Sequence, residues 1–456
     1  MTTNRMKPSP YHSVSLSEFS EDVFGHLPRQ DQRRWAETYL RGLLDTPGKK
    51  SVRRMAAAIA AGPTAAQSLH QFVSASPWLW DPARRTLGRW TEQRATVRAW
   101  SVVPVVAPKR GEHSVGVHRH FDAAAGRVVN CQVWAGLVLC TDRGDVPVDW
   151  RLFLPERWRD DPQRRERARI PAWGDSRPPW LLGLDLTDAW TAHTGAPPVP
   201  VVADVRGFGD AAALVNGLSV RCHRFVVGVP ESLMVCPGPS PGPRRPERAA
   251  LAAGLLCAGD HALQRSVPGA PAGRPAEPGP SGPSGPRAGR AAGTGPSGGQ
   301  EDRSPAGGLW TLSGPAHLPG SHHTVRLLAQ WGPRQARPDH IWLTNLVHAE
   351  LADLVALVGA QTGADRTVRV LRSRFGLLDF EGRSFPGWHH HMTLVSAAYG
   401  WYRLSAPAYP RRTRRTARPA RPPTLRGRAV TPDRPGGPAG LTAGPVTGIA
   451  TAPAGK

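Results

Sequence analysis

The sequence has few cysteines, and they are not arranged in pairs. Five occur among 456 residues, and no two of them stand in a Cys-x-x-Cys spacing. An odd number without that spacing argues against a disulfide framework and against a zinc knuckle. We therefore expect small core residues of a protein in a reducing compartment at Cys131, Cys140, Cys222, Cys236 and Cys257.

Long apolar runs are also absent. No stretch reaches the roughly 18 apolar residues that a membrane-spanning helix needs. The N-terminal Met-Thr-Thr-Asn-Arg lacks the apolar segment of a signal peptide. We expect a cytoplasmic protein with no membrane partner, and a hydrophobic content of 40% is enough for a sizeable core.

Acidic residues are in the minority. Asp and Glu number 35 against 58 Lys and Arg, which gives a net charge of +23. Such a charge is typical of proteins that contact phosphate backbones, so nucleic acid is the expected partner. The alternative is coding bias, because a GC-rich coding sequence enriches arginine by itself.

Residues 1–98 are predicted to form a helical domain. Trp35, Tyr39 and Leu43 recur at helical spacing, and Asp81 before Pro82 predicts an N-cap with proline in the first turn. The second and third helices are compatible with a DNA-binding helix-turn-helix, and an ordinary helical bundle is the alternative. Helices are expected at 28–44, from Ser51 to Ile59, around 69–73, and from Asp81 to Trp90.

Residues 99–232 change to a strand-rich pattern followed by alternating strands and helices. Three early strands with short connections predict an antiparallel meander. The wholly apolar segment from Pro200 ends in Asp204, as expected of a buried strand in a sheet covered by helices. The predicted strands are 100–107, 113–121, 127–141, 200–204 and 225–229, with helices at 155–168, 181–192 and 211–218.

Two segments are dominated by Pro, Gly, Ala and Arg. Within an insertion at 233–335, residues 235–308 have too few apolar side chains to offset the entropy of ordering, so we predict disorder. The tail at 407–456 is predicted to be a disordered basic arm that binds phosphates. Structure is expected to resume near Trp310 with a strand at 324–330, and the second part of the core, 336–406, is predicted to hold a strand at 341–346 and helices at 348–375 and 387–403.

A series of short motifs, in this order and at these separations, resembles the DDE transposases of bacterial insertion sequences. These are cut-and-paste DDE superfamily endonucleases. The motifs are Leu27-Pro-Arg-Gln-Asp-Gln-Arg-Arg-Trp35, Gln67-Ser-Leu-His-Gln-Phe-Val73, Ser76-Pro-Trp78, Pro108-Lys-Arg-Gly-Glu-His-Ser-Val-Gly-Val117, Asn130-Cys-Gln132, Asp149-Trp-Arg-Leu-Phe-Leu-Pro155, Val201-Val-Ala-Asp204, Trp342-Leu-Thr-Asn-Leu346, Gly376-Leu-Leu-Asp-Phe-Glu-Gly-Arg-Ser384 and Gly387-Trp-His-His-His391.

The resemblance implies an α/β fold, with an RNase H-like core in which helices cover both faces of a mixed sheet. It also implies cleavage and joining of double-stranded DNA ends by two Mg²⁺ ions held between three carboxylates, on a protein that pairs two ends as a homodimer. On the matching positions, Asp204 is the second acid. Asp365 stands where the family has the third, a glutamate, and Arg372 follows it by seven residues as a phosphate contact. The alternative for Asp204 is a cap of the next helix.

The first acid is missing. The family's aspartate falls on Val103 or Pro104, and no acid occurs from Gln93 through Arg110. We therefore predict an impaired metal site and a degenerate transposase, with enzymatic activity left open. Asp122 is considered as a replacement for the first acid, and Glu381 as another candidate for the third.

Further basic residues are candidate DNA contacts. The histidine triplet 389–391 is expected to be partly buried packing, and contact of one of its histidines with DNA is also considered. The three histidines are not expected to bind one metal ion, because successive helical residues point about 100° apart. A non-catalytic DNA-binding relic is the alternative function, and a largely disordered nucleic-acid chaperone is a third. The basic candidates are Lys109, Arg110, Arg411, Arg412, Arg414 and Arg415.

Overall fold

The computed structural model describes most of the chain between residues 14 and 405. The described elements belong to one compact unit, Met1–Ala408, and the remainder, Tyr409–Lys456, lies outside the described residues. None of the helices in the described part is long and apolar enough to cross a membrane. The described ranges are 14–59, 62–122, 126–172, 174, 177–195, 197–206, 209–238, 249–257, 264–265, 309–332 and 337–405.

The elements alternate as expected for an α/β protein with a helical N-terminus. The helices are α1 (Leu16–Phe24), α2 (Gln30–Asp45), α3 (Val52–Ala58), α4 (Ala65–Ser74), α5 (Trp80–Glu92), α6 (Glu156–Arg159), α7 (Pro162–Ala168), α8 (Pro179–Thr191), α9 (Ala211–Val220), α10 (Ala252–Cys257), α11 (Leu351–Arg374) and α12 (Phe385–Leu404). The strands are β1 (Val97–Pro108), β2 (His118–Asp122), β3 (Arg127–Thr141), β4 (Val146–Leu152), β5 (Val201–Asp204), β6 (Phe225–Val229), β7 (Met234–Pro237), β8 (Ala250–Leu251), β9 (Gln264–Arg265), β10 (Leu309–His317), β11 (Val325–Trp331) and β12 (His340–Thr344).

The described strands form one mixed sheet. Its order is β2-β3-β1-β5-β6-β12-β11-β10-β7-β8, with β4 also beside β3 and β9 beside β10. β1 is antiparallel to β3 and parallel to β5, and β6 is parallel to β5. An antiparallel β1-β3-β4 group followed by two parallel strands on the other side of β1 is the arrangement of an RNase H-like core, as expected.

Helices cover both faces of this core. On one face, the Ser101 hydroxyl of β1 donates to Gln361 of α11 at 2.7 Å. On the other, the next residue, Val102, packs against Gly183 of α8, where an added Cβ would lie 3.3 Å from the valine methyl. Successive strand residues point to opposite faces, so one strand anchors both layers. The expected mixed sheet with helices on both faces is confirmed.

The N-terminal helices join the core through α12. This helix is buried along nearly its whole length, because α2, α4 and α5 pack around it and β4 lies beside it. Trp388 meets Trp134 of β3 edge-on, with ring centroids 5.7 Å apart, and His390 stacks on Trp78 at 3.9 Å. The N-terminal helices and the sheet therefore share one apolar interior.

Some local expectations were wrong. Asp81 does not cap α5, which begins at Trp80 after an N-cap residue, Leu79, that makes no side-chain cap bond. The segment before His118 is a loop, in which Gly116 has φ +77°, and β2 pairs with β3 and not with β1. The antiparallel group at this side of the sheet is therefore β1-β3-β4, and the expected meander of the first three strands was wrong.

Part of the insertion is also ordered, against expectation. Val235 and Cys236 are buried, and β7 pairs with β10 through Cys236 opposite His317. This pairing partner lies about 80 residues further along the chain, so local composition does not reveal it. Most of 235–308 and the whole basic tail lie outside the described residues. Cys222 and Cys257 are exposed, so the core expectation was wrong for these two cysteines.

Candidate active site at the end of the parallel strands

Asp204 ends β5 at the carboxyl edge of the parallel strands. Its carboxylate leans over Gly228 of β6, where an added Cβ would lie 2.9 Å from Oδ1. The cap of the following helix is Asp210, whose side chain accepts from the Ala213 amide at 2.9 Å. The helix-cap alternative for Asp204 was therefore wrong, and its carboxylate lies at the sheet edge.

Val103 lies beside Asp204 on the neighbouring strand. Ser101 pairs with Val202 and Val102 with Ala203, so the next step of the parallel register brings Val103 next to Asp204. Because side chains alternate, Val103 shares the α11 face with Ser101, whereas Pro104 belongs to the opposite face. Of the two positions expected for the first acid, Val103 is the one that faces the site, and its side chain is buried.

Asp365 lies on α11, which follows the direction of β1. Gln361 contacts Ser101, and further along both elements Arg372 donates to the Val106 carbonyl at 2.7 Å. Asp365 lies between these contacts and accepts from Gln361 at 3.2 Å. Burial, and then the negative charge of Asp204, raises the pKa of Asp365 to about 6. The structure thus brings together the two acids that the sequence indicated.

The carboxylate of Asp204 forms an ion pair with a guanidinium. Arg206 donates from Nε to Oδ1 at 2.8 Å and from Nη2 to Oδ2 at 2.5 Å. Its Nη1 contacts Nδ1 of His340, the first residue of β12. Burial, and then the charge of Arg206, lowers the pKa of His340, which favours the neutral ring that can accept this hydrogen bond. Arg206 was not predicted as a site residue, although its place two positions after a candidate ligand was a usable signal.

These residues do not fit two divalent cations. Two Mg²⁺ ions require several carboxylate oxygens with positions left open for substrate. Here Val103 supplies no ligand and Arg206 already binds both oxygens of Asp204. Within the described residues, no group of three acidic, histidine or cysteine side chains could hold a metal.

The two alternative candidate acids, Asp122 and Glu381, lie away from Asp204. Asp122 is the last residue of β2, opposite Arg127, whereas Val103 is opposite Gly136 of the same strand β3, nine positions away. The negative charge of Asp122 interacts with the guanidinium of Arg372, which lies about two helical turns beyond Asp365. Glu381 pairs with Lys49 at 2.6 Å on the surface. The structure brings neither acid to Asp204.

The candidate DNA contacts differ in exposure. The Lys109 ammonium lies near the carbonyls of Leu378 and Phe380, at 3.4 and 3.5 Å, and burial lowers its pKa. Its position favours an internal tether over a phosphate contact. Arg110 and Arg372 are exposed. The tail candidates, Arg411, Arg412, Arg414 and Arg415, lie outside the described residues.

The histidine triplet is entirely internal. His389, His390 and His391 are at most 2% exposed, so the expected packing role is confirmed and contact of one of them with DNA is wrong. His389 stacks on Trp80 at 4.4 Å, and His391 bonds to the Tyr39 hydroxyl at 3.0 Å. The three rings instead join α12 to the N-terminal helices.

Residues 22–254, more than half of the chain, match the family model described as DDE superfamily endonuclease. The chain belongs to this family. No curated protein matches its sequence. Among solved structures, a cryo-EM structure of the piggyBac transposase synaptic complex with hairpin DNA is 8% identical with a TM-score of 0.37, over 88% of this chain and 70% of that chain. A similarity at that level does not bear on function.

Proposed function

We propose that this DDE-family chain is a transposase of a bacterial insertion sequence that binds double-stranded DNA ends but is impaired in cutting and joining them. The observation that carries this proposal is Val103, a buried aliphatic side chain beside Asp204 on the face that meets α11. Without a carboxylate there, Asp204 and Asp365 are left as the acids of an incomplete site. Two-metal chemistry needs ligands that bridge and neutralise both ions.

Binding to DNA is supported by charge. The net charge of +23 favours association with phosphate backbones independently of sequence. Arg110 and Arg372 are exposed near the carboxyl end of β1, the strand that carries Val103. We further propose a homodimer, since pairing two ends requires two copies, and association with the nucleoid through DNA.

Arg206 favours the second candidate, a DNA-binding relic with no cleavage activity. Its guanidinium already neutralises Asp204, so a metal ion would have to displace two charge-assisted hydrogen bonds. The third possibility, a largely disordered nucleic-acid chaperone, does not fit the buried strands β1, β3, β5 and β6. A core of this kind is expected to resist proteolysis.

The test is a nicking assay with Mg²⁺ or Mn²⁺ on DNA that carries the terminal repeats of the element, together with a binding assay on the same DNA. The matched control is Asp204→Ala. We expect DNA binding by both proteins and little nicking by either. Nicking above the control supports a weakened enzyme, and equal background supports the relic. Efficient nicking would overturn the proposed impairment, and absence of DNA binding would overturn the function as a whole.

A further inference from the structure

The β2–β3 hairpin extends beyond the sheet at the edge where the candidate site lies. The last pair between β1 and β3 joins Pro108 to Cys131, and beyond it β3 continues with β2 as its partner, up to Asp122 opposite Arg127. β1 and β5 are parallel, so the carboxyl end of β1 and the Asp204 end of β5 lie at the same edge. The hairpin therefore projects from the edge that holds Asp204.

One face of this hairpin exposes two large apolar side chains. Phe121 is 58% exposed and Val128 is 50% exposed, and the two are direct cross-strand partners. Side chains of such a pair lie on the same face. Arg119, also exposed, shares that face because it stands two residues before Phe121. The result is an apolar tip with a basic side chain next to it.

Positive charge continues at the base of the hairpin. The Asn130 amide donates to the carbonyls of Lys109 and Gly111, at 3.0 and 2.8 Å. These bonds hold the exposed Arg110, which lies between the two acceptors, beside the same face. The acid of the hairpin, Asp122, belongs to the opposite face, and its charge acts on Arg372.

We propose that this hairpin is a DNA-contacting arm, in which Phe121 and Val128 enter a groove of duplex DNA while Arg119 and Arg110 contact its phosphates. A two-stranded ribbon fits the major groove, and apolar side chains act as wedges between base steps in the minor groove. The arginines beside the apolar pair favour a polyanion over a second copy of this basic chain. The inference rests on the proposed binding of double-stranded DNA and assigns a surface to it.

The test measures binding of the full chain to a fluorescent mixed-sequence duplex of about 30 base pairs, roughly three helical turns, over a range of salt concentrations. Phe121→Ser is expected to weaken binding about tenfold without changing the salt dependence, because an apolar contact releases no counterions. Arg119→Ala is expected to lower the slope of log K against log salt by about 1. The control is Val220→Ser, which alters a side chain 72% exposed at the end of α9, at the opposite edge of the sheet. It is expected to bind as the unmodified chain does.

Equal duplex binding by Phe121→Ser and the unmodified chain would overturn the assignment of the hairpin as a DNA-contacting arm, while leaving the proposed function intact. Loss of self-association in Phe121→Ser, with duplex binding unchanged, would also overturn it and assign the face to a contact between copies. If the unmodified chain does not bind duplex at all, the proposed function itself fails. Circular dichroism and the melting temperature of each variant show whether weaker binding reflects misfolding.

Discussion

Asp204 and Arg206 form a bidentate ion pair at the end of β5, with Nε 2.8 Å from Oδ1 and Nη2 2.5 Å from Oδ2. His340 contacts the remaining terminal nitrogen, so the guanidinium is held on both sides. A positive charge therefore already lies against the carboxylate that we propose as the second acid of the site. Arg206 therefore neutralises Asp204, and Val103 alongside contributes no charge.

Gly228 provides the room for the Asp204 carboxylate. In a Gly228→Ala variant, the new Cβ would lie 2.9 Å from Oδ1 and 3.2 Å from a ring carbon of Trp342. We expect a loss of about 1–3 kcal/mol in the free energy of unfolding, measured in urea, because strands on both sides hold the backbone in place. The loss should shrink in an Asp204→Ala background, and an unchanged loss there would identify Trp342 as the obstacle. The control is Gly359→Ala on α11, where nothing lies within 4 Å and helix propensity predicts a gain of about 1 kcal/mol.

A buried ion pair links the N-terminal helices to the sheet. Arg84 of α5 is 2% exposed and contacts Asp149 of β4 at 2.5 Å, and it also donates to Thr393 of α12 at 2.8 Å. Asp149→Asn leaves this guanidinium buried without its main counter-charge, so we expect a loss of about 3–5 kcal/mol. Arg151→Ala removes the more exposed partner of Asp149, at 3.0 Å, and should cost less than about 1 kcal/mol. Comparable losses in the two variants would contradict the assigned role of Arg84.

Local patterns predicted the parts of the site that depend on one element. The apolar run ending in Asp204 is β5, and the helix carrying Asp365 is α11. The two elements follow from periodicity within a short window, and Asp204 ends a strand at an edge that parallel neighbours share, whereas Asp365 was selected from the resemblance to the DDE family. The structure brings both acids together, and their catalytic roles stay predictions.

Features built from distant segments were not predicted. Arg206 is fixed by His340, which lies on a strand much further along the chain. The insertion strand β7 is stabilised by β10, and β2 pairs with β3 because a loop separates it from β1. Hydrogen-bond partners of this kind have no periodic signature, so a reading of local sequence does not detect them. The histidines at 389–391 were expected to be only partly buried, and their partners on the N-terminal helices were not predicted for the same reason.

The buried histidines should make the fold sensitive to acid. His391 is held neutral, since Nδ1 accepts from the Tyr39 hydroxyl and Nε2 donates to the Gly376 carbonyl, each at 3.0 Å. Burial lowers its pKa from 6.5 to about 4, and burial has the same effect on His390. A lowered pKa in the folded state means that this stability is present above pH 6.5 and is lost as the pH falls toward about 4. Each histidine adds up to about 1.4 kcal/mol of loss per pH unit.

A matched pair of variants separates the effect of the buried histidines on acid stability from the effect of the buried acid Asp145. Burial raises the pKa of Asp145 from 3.8 to about 6. Protonation of Asp145 therefore stabilises the fold as the pH falls, and this partly offsets the loss caused by the histidines. In unfolding free energies measured from pH 7.5 to 4.5, His391→Gln should be less stable at neutral pH but lose stability less steeply. Asp145→Asn should lose it more steeply between about pH 6 and 4. A His391→Gln slope equal to that of the unmodified chain would rule out this origin of acid sensitivity.

Restoring the missing carboxylate should restore metal binding. In Val103→Asp/Arg206→Ala, a carboxylate stands beside Asp204 and Asp365 and the competing guanidinium is gone. We expect this variant to be less stable than the unmodified chain without metal, because three acids then share a partly buried site. Mn²⁺ at about a hundred times its dissociation constant should raise the free energy of unfolding by about 2.7 kcal/mol, which is measured as a rise in melting temperature. The control is Val102→Asp/Arg206→Ala, in which the new acid faces α8 on the opposite side of the sheet and should gain nothing from Mn²⁺. Equal stabilisation of both variants, or of the unmodified chain, would show that Val103 is not the vacant ligand position.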